Sequence, residues 1–150
     1  MTLEKISFAY PVHIRQGMLI DVMHPPSMWI YADSFPSVEY LNVALGVFLR
    51  KDELYYTKID VFFDDKSVLD DQDKGNDTAY IHLSGFTSTD QYIMVSSMTL
   101  KRVHLPNEGV YKLIVELYSG ELGSADSKVI YPMDFEMHRD GKGANPREHR

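Results

Sequence analysis

The sequence predicts an all-β chain folded as an antiparallel β-sandwich of about eight or nine strands. Three observations predict it. Apolar and polar residues alternate over most of the 150 residues, the pattern of strands with one face in a core. Turn residues interrupt the alternation at short intervals, as in sandwiches and barrels. No segment combines a helical apolar stripe with good helix propensity throughout.

The elements follow in order. In the first run Ile6, Phe8, Tyr10, Val12 and Ile14 alternate with Lys5, Ser7, His13 and Arg15. Arg15-Gln16-Gly17 is a turn signal, because glycine takes backbone angles that other residues resist. Met18 to Met23 is then expected to return antiparallel, until His24-Pro25-Pro26 ends it, since proline donates nothing to a sheet ladder. A short strand over Met28–Ala32 follows. Val38 to Arg50 fits two patterns: Leu41, Val43, Leu45, Val47 and Leu49 alternate strictly, while Val38, Leu41, Leu45, Phe48 and Leu49 fit a helical stripe. Gly46 and three valines lower helix propensity, and a strand is expected.

Lys51-Asp52-Glu53 leads into an alternating face of Tyr55, Thr57, Ile59, Val61 and Phe63. Asp64 to Asp77 reads as the longest loop, with one helical turn around Ser67 to Leu69. Strands resume over Thr78–Leu83 and Tyr92–Leu105, the second with a bulge expected at Ser96-Ser97 where its apolar face changes parity. Pro106-Asn107-Glu108-Gly109 is a turn before Tyr111, Leu113, Val115 and Leu117. A Gly-containing loop over Ser119–Ser127 precedes a last strand with Val129, Tyr131, Met133 and Phe135. Residues 1–138 are thus expected to form one sandwich domain and 139–150 a disordered, flexible tail, since GKGANPREHR offers almost nothing to a core.

A chain of this length buries roughly 70% of its unfolded surface on folding, and 44% hydrophobic residues suffice for a core without staples. The absence of cysteine excludes a disulfide framework, a thiolate zinc site and a cysteine nucleophile. MTLEKISFAY lacks a basic region followed by an apolar run, and no stretch approaches the roughly 20 apolar residues of a bilayer span. A cytoplasmic protein without a membrane span is expected. A net charge of −7 argues against nucleic acid as a partner, because phosphate binding rests on cations.

Two segments, LNVALGVFLRKDELYYTKIDVFFDDK and LKRVHLPNEGVYKLIVELYSGELGS, place alternating strands around short turns, the second opening with Leu-Pro-x-x-Gly-x-Tyr at residues 105–111. This layout resembles the immunoglobulin-like and C2-like β-sandwiches of small bacterial proteins, over roughly the C-terminal two-thirds of the chain. The resemblance implies a fold and transfers no catalytic or binding residue. The Cys…Trp…Cys pattern of antibody-type domains is missing.

Candidate chemistry is sparse. Asp64, Asp65, Asp70, Asp71, Asp73 and Asp77 are oxygen ligands of the kind calcium takes, with Asp70, Asp71 and Asp73 the metal candidates. Counting an EF-hand from Asp70, however, puts Gln72 and Lys74 at its third and fifth places. No two histidines have the close spacing that sets two imidazoles on one metal. There is no nucleophile elbow and no glycine-rich phosphate loop. Ten tyrosines and one tryptophan are the stronger signal, because these side chains join large area to a polar tip and are enriched in interfaces. Trp29 and Tyr31 share a face of one short strand. Tyr40 and Phe48 lie opposite the leucine–valine stripe, with Ala44 and Gly46 between them. The expected function is a non-enzymatic interaction module that binds a protein partner or itself through a sheet face or strand edge, without a cofactor. A calcium- or small-ligand-binding C2-like sandwich and an enzyme with a dispersed site are the alternatives.

Overall fold

The structure, a computed structural model, describes residues 3–19, 22–70, 79–86, 90–120 and 128–140. The alternating runs become nine strands: β1 (Lys5–Ile14), β2 (Trp29–Tyr31), β3 (Ser37–Arg50), β4 (Tyr55–Phe63), β5 (Lys66–Ser67), β6 (Ala79–Phe86), β7 (Gln91–Leu105), β8 (Gly109–Ser119) and β9 (Lys128–Asp140). They form a four-stranded sheet, ordered β1-β3-β7-β6, and a five-stranded sheet, ordered β2-β9-β8-β4-β5. Neighbours are antiparallel except β2 and β9, which pair in parallel over three residues. The described residues contain no helix, and none therefore is long and apolar enough to cross a membrane.

The segment with two readings is a strand because it lies between two others. β3 pairs with β1 on one side and β7 on the other, and sends Leu41, Val43, Leu45 and Val47 inward. There they meet Ile59 and Val61 of β4 and Leu113, Val115 and Leu117 of β8 in one continuous core. Each such side chain contributes about 1.5–3 kcal/mol on burial, so the sum over both inner faces outweighs any surface contact and sets the register of the central strands.

The turn at residues 105–111 carries the chain from one sheet to the other. Tyr111 is fully buried, and its hydroxyl donates to the Asn107 carbonyl oxygen at 2.6 Å, the arrangement called a tyrosine corner. Its ring stacks on Phe63 with centroids 4.5 Å apart. Gly109 has a φ of +148°, and a β-carbon there would run into the Phe63 ring. Between β4 and β5 the two-residue loop Asp64-Asp65 has both φ angles positive, 51° and 60°, as tight hairpins of matching twist require.

Five expectations are corrected. Residues 18, 19, 22 and 23 are not in a strand. Pro11 of β1 has no N–H to offer a returning neighbour, and the backbone bond to this edge comes from the residue after the double proline, with the Ser27 N–H donating to the Pro11 carbonyl at 2.8 Å. The bulge in β7 lies not at Ser96-Ser97, which pair regularly with Leu45 and Ala44, but between Leu100 and Val103, opposite Leu41 and Glu39. Both faces are apolar over Tyr92–Val95, which obscures the parity from sequence. Ser67 to Leu69 form no helical turn: Val68 donates to Val61, and Leu69 bridges to Val103. In β1 a bulge between Ile6 and Phe8 turns Phe8 to the outer face while Ile6 and Ala9 enter the core. The strand β9 runs to Asp140, two residues into the expected tail; residues 141–150 lie outside the described residues.

Candidate functional site

Two sheets leave four edges, and an unpaired edge is a template for another strand unless something blunts it. Three of the four are blunted. On β1 the residue Pro11 removes a donor, and Ser27 lies along the edge, its hydroxyl accepting from the His13 N–H at 2.9 Å. β2 has three residues and β5 two, and the stretches of β9 and β4 that they leave unpaired carry Pro132, Asp134 and Glu136 on the one and Lys58 and Asp60 on the other, the residues that keep an edge from pairing.

The fourth edge is β6. It runs eight residues, AYIHLSGF, with no charged residue and no proline, two of the devices that keep edges apart, and its only irregularity among the described residues is one bulge. No described strand pairs with its outer side. Ile81, Leu83 and Phe86 are each more than 60% exposed. A bulge between Ile81 and Leu83 leaves His82 without a counterpart on β7, and the His82 Nε2 is buried without a hydrogen-bond partner among the described residues. Unsatisfied buried groups are rare in folded proteins and call for a reason. Phe86 is braced at the end of the strand by Tyr92, with ring centroids 4.9 Å apart, and by the Lys51 ammonium 5.5 Å from its ring centre.

The four aromatic candidates do not form one patch. Trp29 and Tyr31 stand on β2 in the five-stranded sheet, opposite His138 and Asp140 of β9 in register, and the Trp29 side chain is about half exposed. Tyr40 and Phe48 stand on β3 in the other sheet, Tyr40 exposed and Phe48 half-buried. The small residues between them are not an open slot. A β-carbon on Gly46 would overlap the Phe8 ring, so the space is filled from β1. Phe8 in turn stacks on Tyr10, whose hydroxyl donates to the His24 carbonyl and is pushed up in pKa by burial. Asn42, Ala44, Ser97 and Thr99 on the same face are buried, and Thr99 donates to Asn42 at 2.9 Å.

Of the metal candidates, Asp70 has both carboxylate oxygens engaged: one with His104 Nε2 and the other with Arg102 Nε, each at 2.9 Å. The His104 hydrogen bond, aided by Arg102, holds the Asp70 carboxyl below its usual range against the opposing effect of desolvation. Asp71 and Asp73 lie outside the described residues. Among the described residues no group of three His, Cys, Asp or Glu side chains could hold a metal. Two grooves carry ionisable pairs. One of about 650 Å³ is bordered by Asp70, His104, Ser37 and Ser67. The other, of about 640 Å³, holds His13 against Glu39 at 3.0 Å with Arg15 and Asp33 nearby. In each, the histidine Nε2 is taken up by its own carboxylate.

Sequence reasoning passed over Ile81, Leu83 and Phe86. The available signal was an uncharged, proline-free run between two polar stretches of sequence.

No family model matches the chain. A 21-residue stretch, 14% of the chain, is 81% identical to a segment of Protein SprT of Photorhabdus laumondii subsp. laumondii, and spans 11% of that protein. A shared segment of that length transfers neither a fold nor an activity to the rest of the chain.

Proposed function

We propose that this protein is a non-enzymatic interaction module that takes up an extended strand along the open edge of β6. The observation that carries the reading is the contrast among the four edges: three are short or blunted, while the fourth is long, uncharged and flanked by exposed Ile81, Leu83 and Phe86. Backbone groups of an added strand would bind there without sequence preference, and alternate side chains would supply selectivity. The expected setting is the cytoplasm. The immunoglobulin-like resemblance supports a binding role and is itself supported by two features. The orders β1-β3-β7-β6 and β9-β8-β4 correspond to the ABED and GFC orders of that sandwich. Tyr111 also occupies the corner position expected near the start of the strand that the family calls F.

A photoreactive phenylalanine analogue at position 83 tests the reading in the producing cells. Covalent adducts with another polypeptide are expected, and Ile81→Lys in the same chain should abolish them. Absence of adducts at position 83, with the protein folded, sinks the edge as the binding site.

A further inference from the structure

We infer that the strand received by β6 is β6 of a second copy, paired antiparallel about a two-fold axis between His82 and Leu83. The inference rests on the proposed edge-binding function and names its partner.

The bulge sets this register. In an antiparallel pair, residues that face each other must lie on the same face of the sheet. A regular strand pairing with itself meets that condition only when the axis passes through a residue, because faces alternate with a period of two. The strand β6 is not regular. Ile81 faces Ser96 of β7 and Ser84 faces Met94, two residues apart on β7 and so on one face. Tyr80 faces Ser97 and Gly85 faces Ile93, together on the other face. The extra residue, His82, has shifted parity halfway along the strand. An axis between His82 and Leu83 therefore sets Ile81 opposite Ser84, Tyr80 opposite Gly85 and Ala79 opposite Phe86 of the second copy, with these three pairs on matching faces. An axis between Ile81 and His82 also matches faces but pairs only residues 79–84, so the axis between His82 and Leu83 is the one that pairs the whole strand.

The residue types agree with this pairing. Ala79 falls opposite Phe86, Tyr80 opposite Gly85 and Ile81 opposite Ser84, a large residue against a small one each time. A β-carbon at Gly85 would meet nothing within 4 Å, so that position offers open space, unlike Gly46, where Phe8 has filled it. The strand has no charged residue, so two copies meet there without like charges opposed, despite the net charge of −7 on each chain. The axis passes beside His82, whose Nε2 has no partner among the described residues.

The test uses purified protein. Light scattering between 1 and 200 μM is expected to show a mass rising towards twice 17.3 kDa. Leu83→Lys, which sets two ammonium groups beside the axis, should raise the dissociation constant at least tenfold. The chain has no cysteine, so introduced thiols report the register. Ile81→Cys and Ser84→Cys chains, mixed in a glutathione buffer, should form a mixed disulfide, since bridging needs α-carbons within about 7 Å. Neither should dimerise covalently alone. Both positions are exposed, and folding is checked by the melting curve. A monomer at 200 μM overturns the inference. So does a dimer that is indifferent to Leu83→Lys or that fails to give the mixed disulfide. If the purified protein is a monomer but position 83 still gives adducts in cells, the partner is a different chain and the edge-binding function stands. If neither occurs, both fail.

Discussion

Single residues in this protein show how much depends on what fills a space. Gly46 has no side chain because the Phe8 ring lies there. Gly46→Ala is expected to cost about 1–3 kcal/mol as overpacking, read from urea unfolding, and pairing it with Phe8→Leu should recover part of the loss. Tyr55 shows what burial does to a titrating group. Its hydroxyl donates to Glu4 at 2.5 Å and accepts from the Arg50 N–H, and desolvation, then the Glu4 hydrogen bond, push its pKa up to about 12. An unfolded tyrosine titrates near 10. The folded pKa is the higher one, so this contribution to stability is complete below about pH 10 and is lost as pH rises towards 12. Urea midpoints between pH 8 and 11.5 should fall less steeply for Tyr55→Phe than for the parent.

At the scale of the element, the tyrosine corner ties the start of β8 to the turn that connects the two sheets. Tyr111→Phe keeps the ring against Phe63 but leaves the Asn107 carbonyl without its donor, at an expected cost of about 1–2 kcal/mol, measurable by thermal unfolding. This element was legible in sequence as Leu-Pro-x-x-Gly-x-Tyr. So were β3, β4 and β8, whose alternation is strict because one face of each enters the core. The bulges in β1, β6 and β7 were not legible where they occur, because a bulge is a mismatch with a partner strand and depends on pairings that sequence does not display. For the same reason Met18–Met23 looked like a return strand. Its own residues permit one, and the obstacle is Pro11 in the neighbour. The open edge of β6 escaped notice because being last in a sheet is a property of the sheet order alone.

For the whole molecule, the two sheets share one core, and the surface distinguishes their borders. With the other borders blunted, the proposed association would run along β6 alone. If the chain dimerises along β6, stability depends on its concentration, because a partner that binds only the folded chain stabilises it. The melting temperature of the parent should rise between 2 and 200 μM, while that of Leu83→Lys should stay level.

The parallel pairing of β2 with β9 has a mechanical meaning. Tension entering the chain at β2 and leaving it at the end of β9 pulls two parallel strands in opposite senses along their length. Trp29, Ile30 and Tyr31 are held in register against His138, Arg139 and Asp140. The hydrogen bonds of that patch are then sheared together and not opened one after another. A hairpin edge of similar size unzips under a load that this short clasp resists.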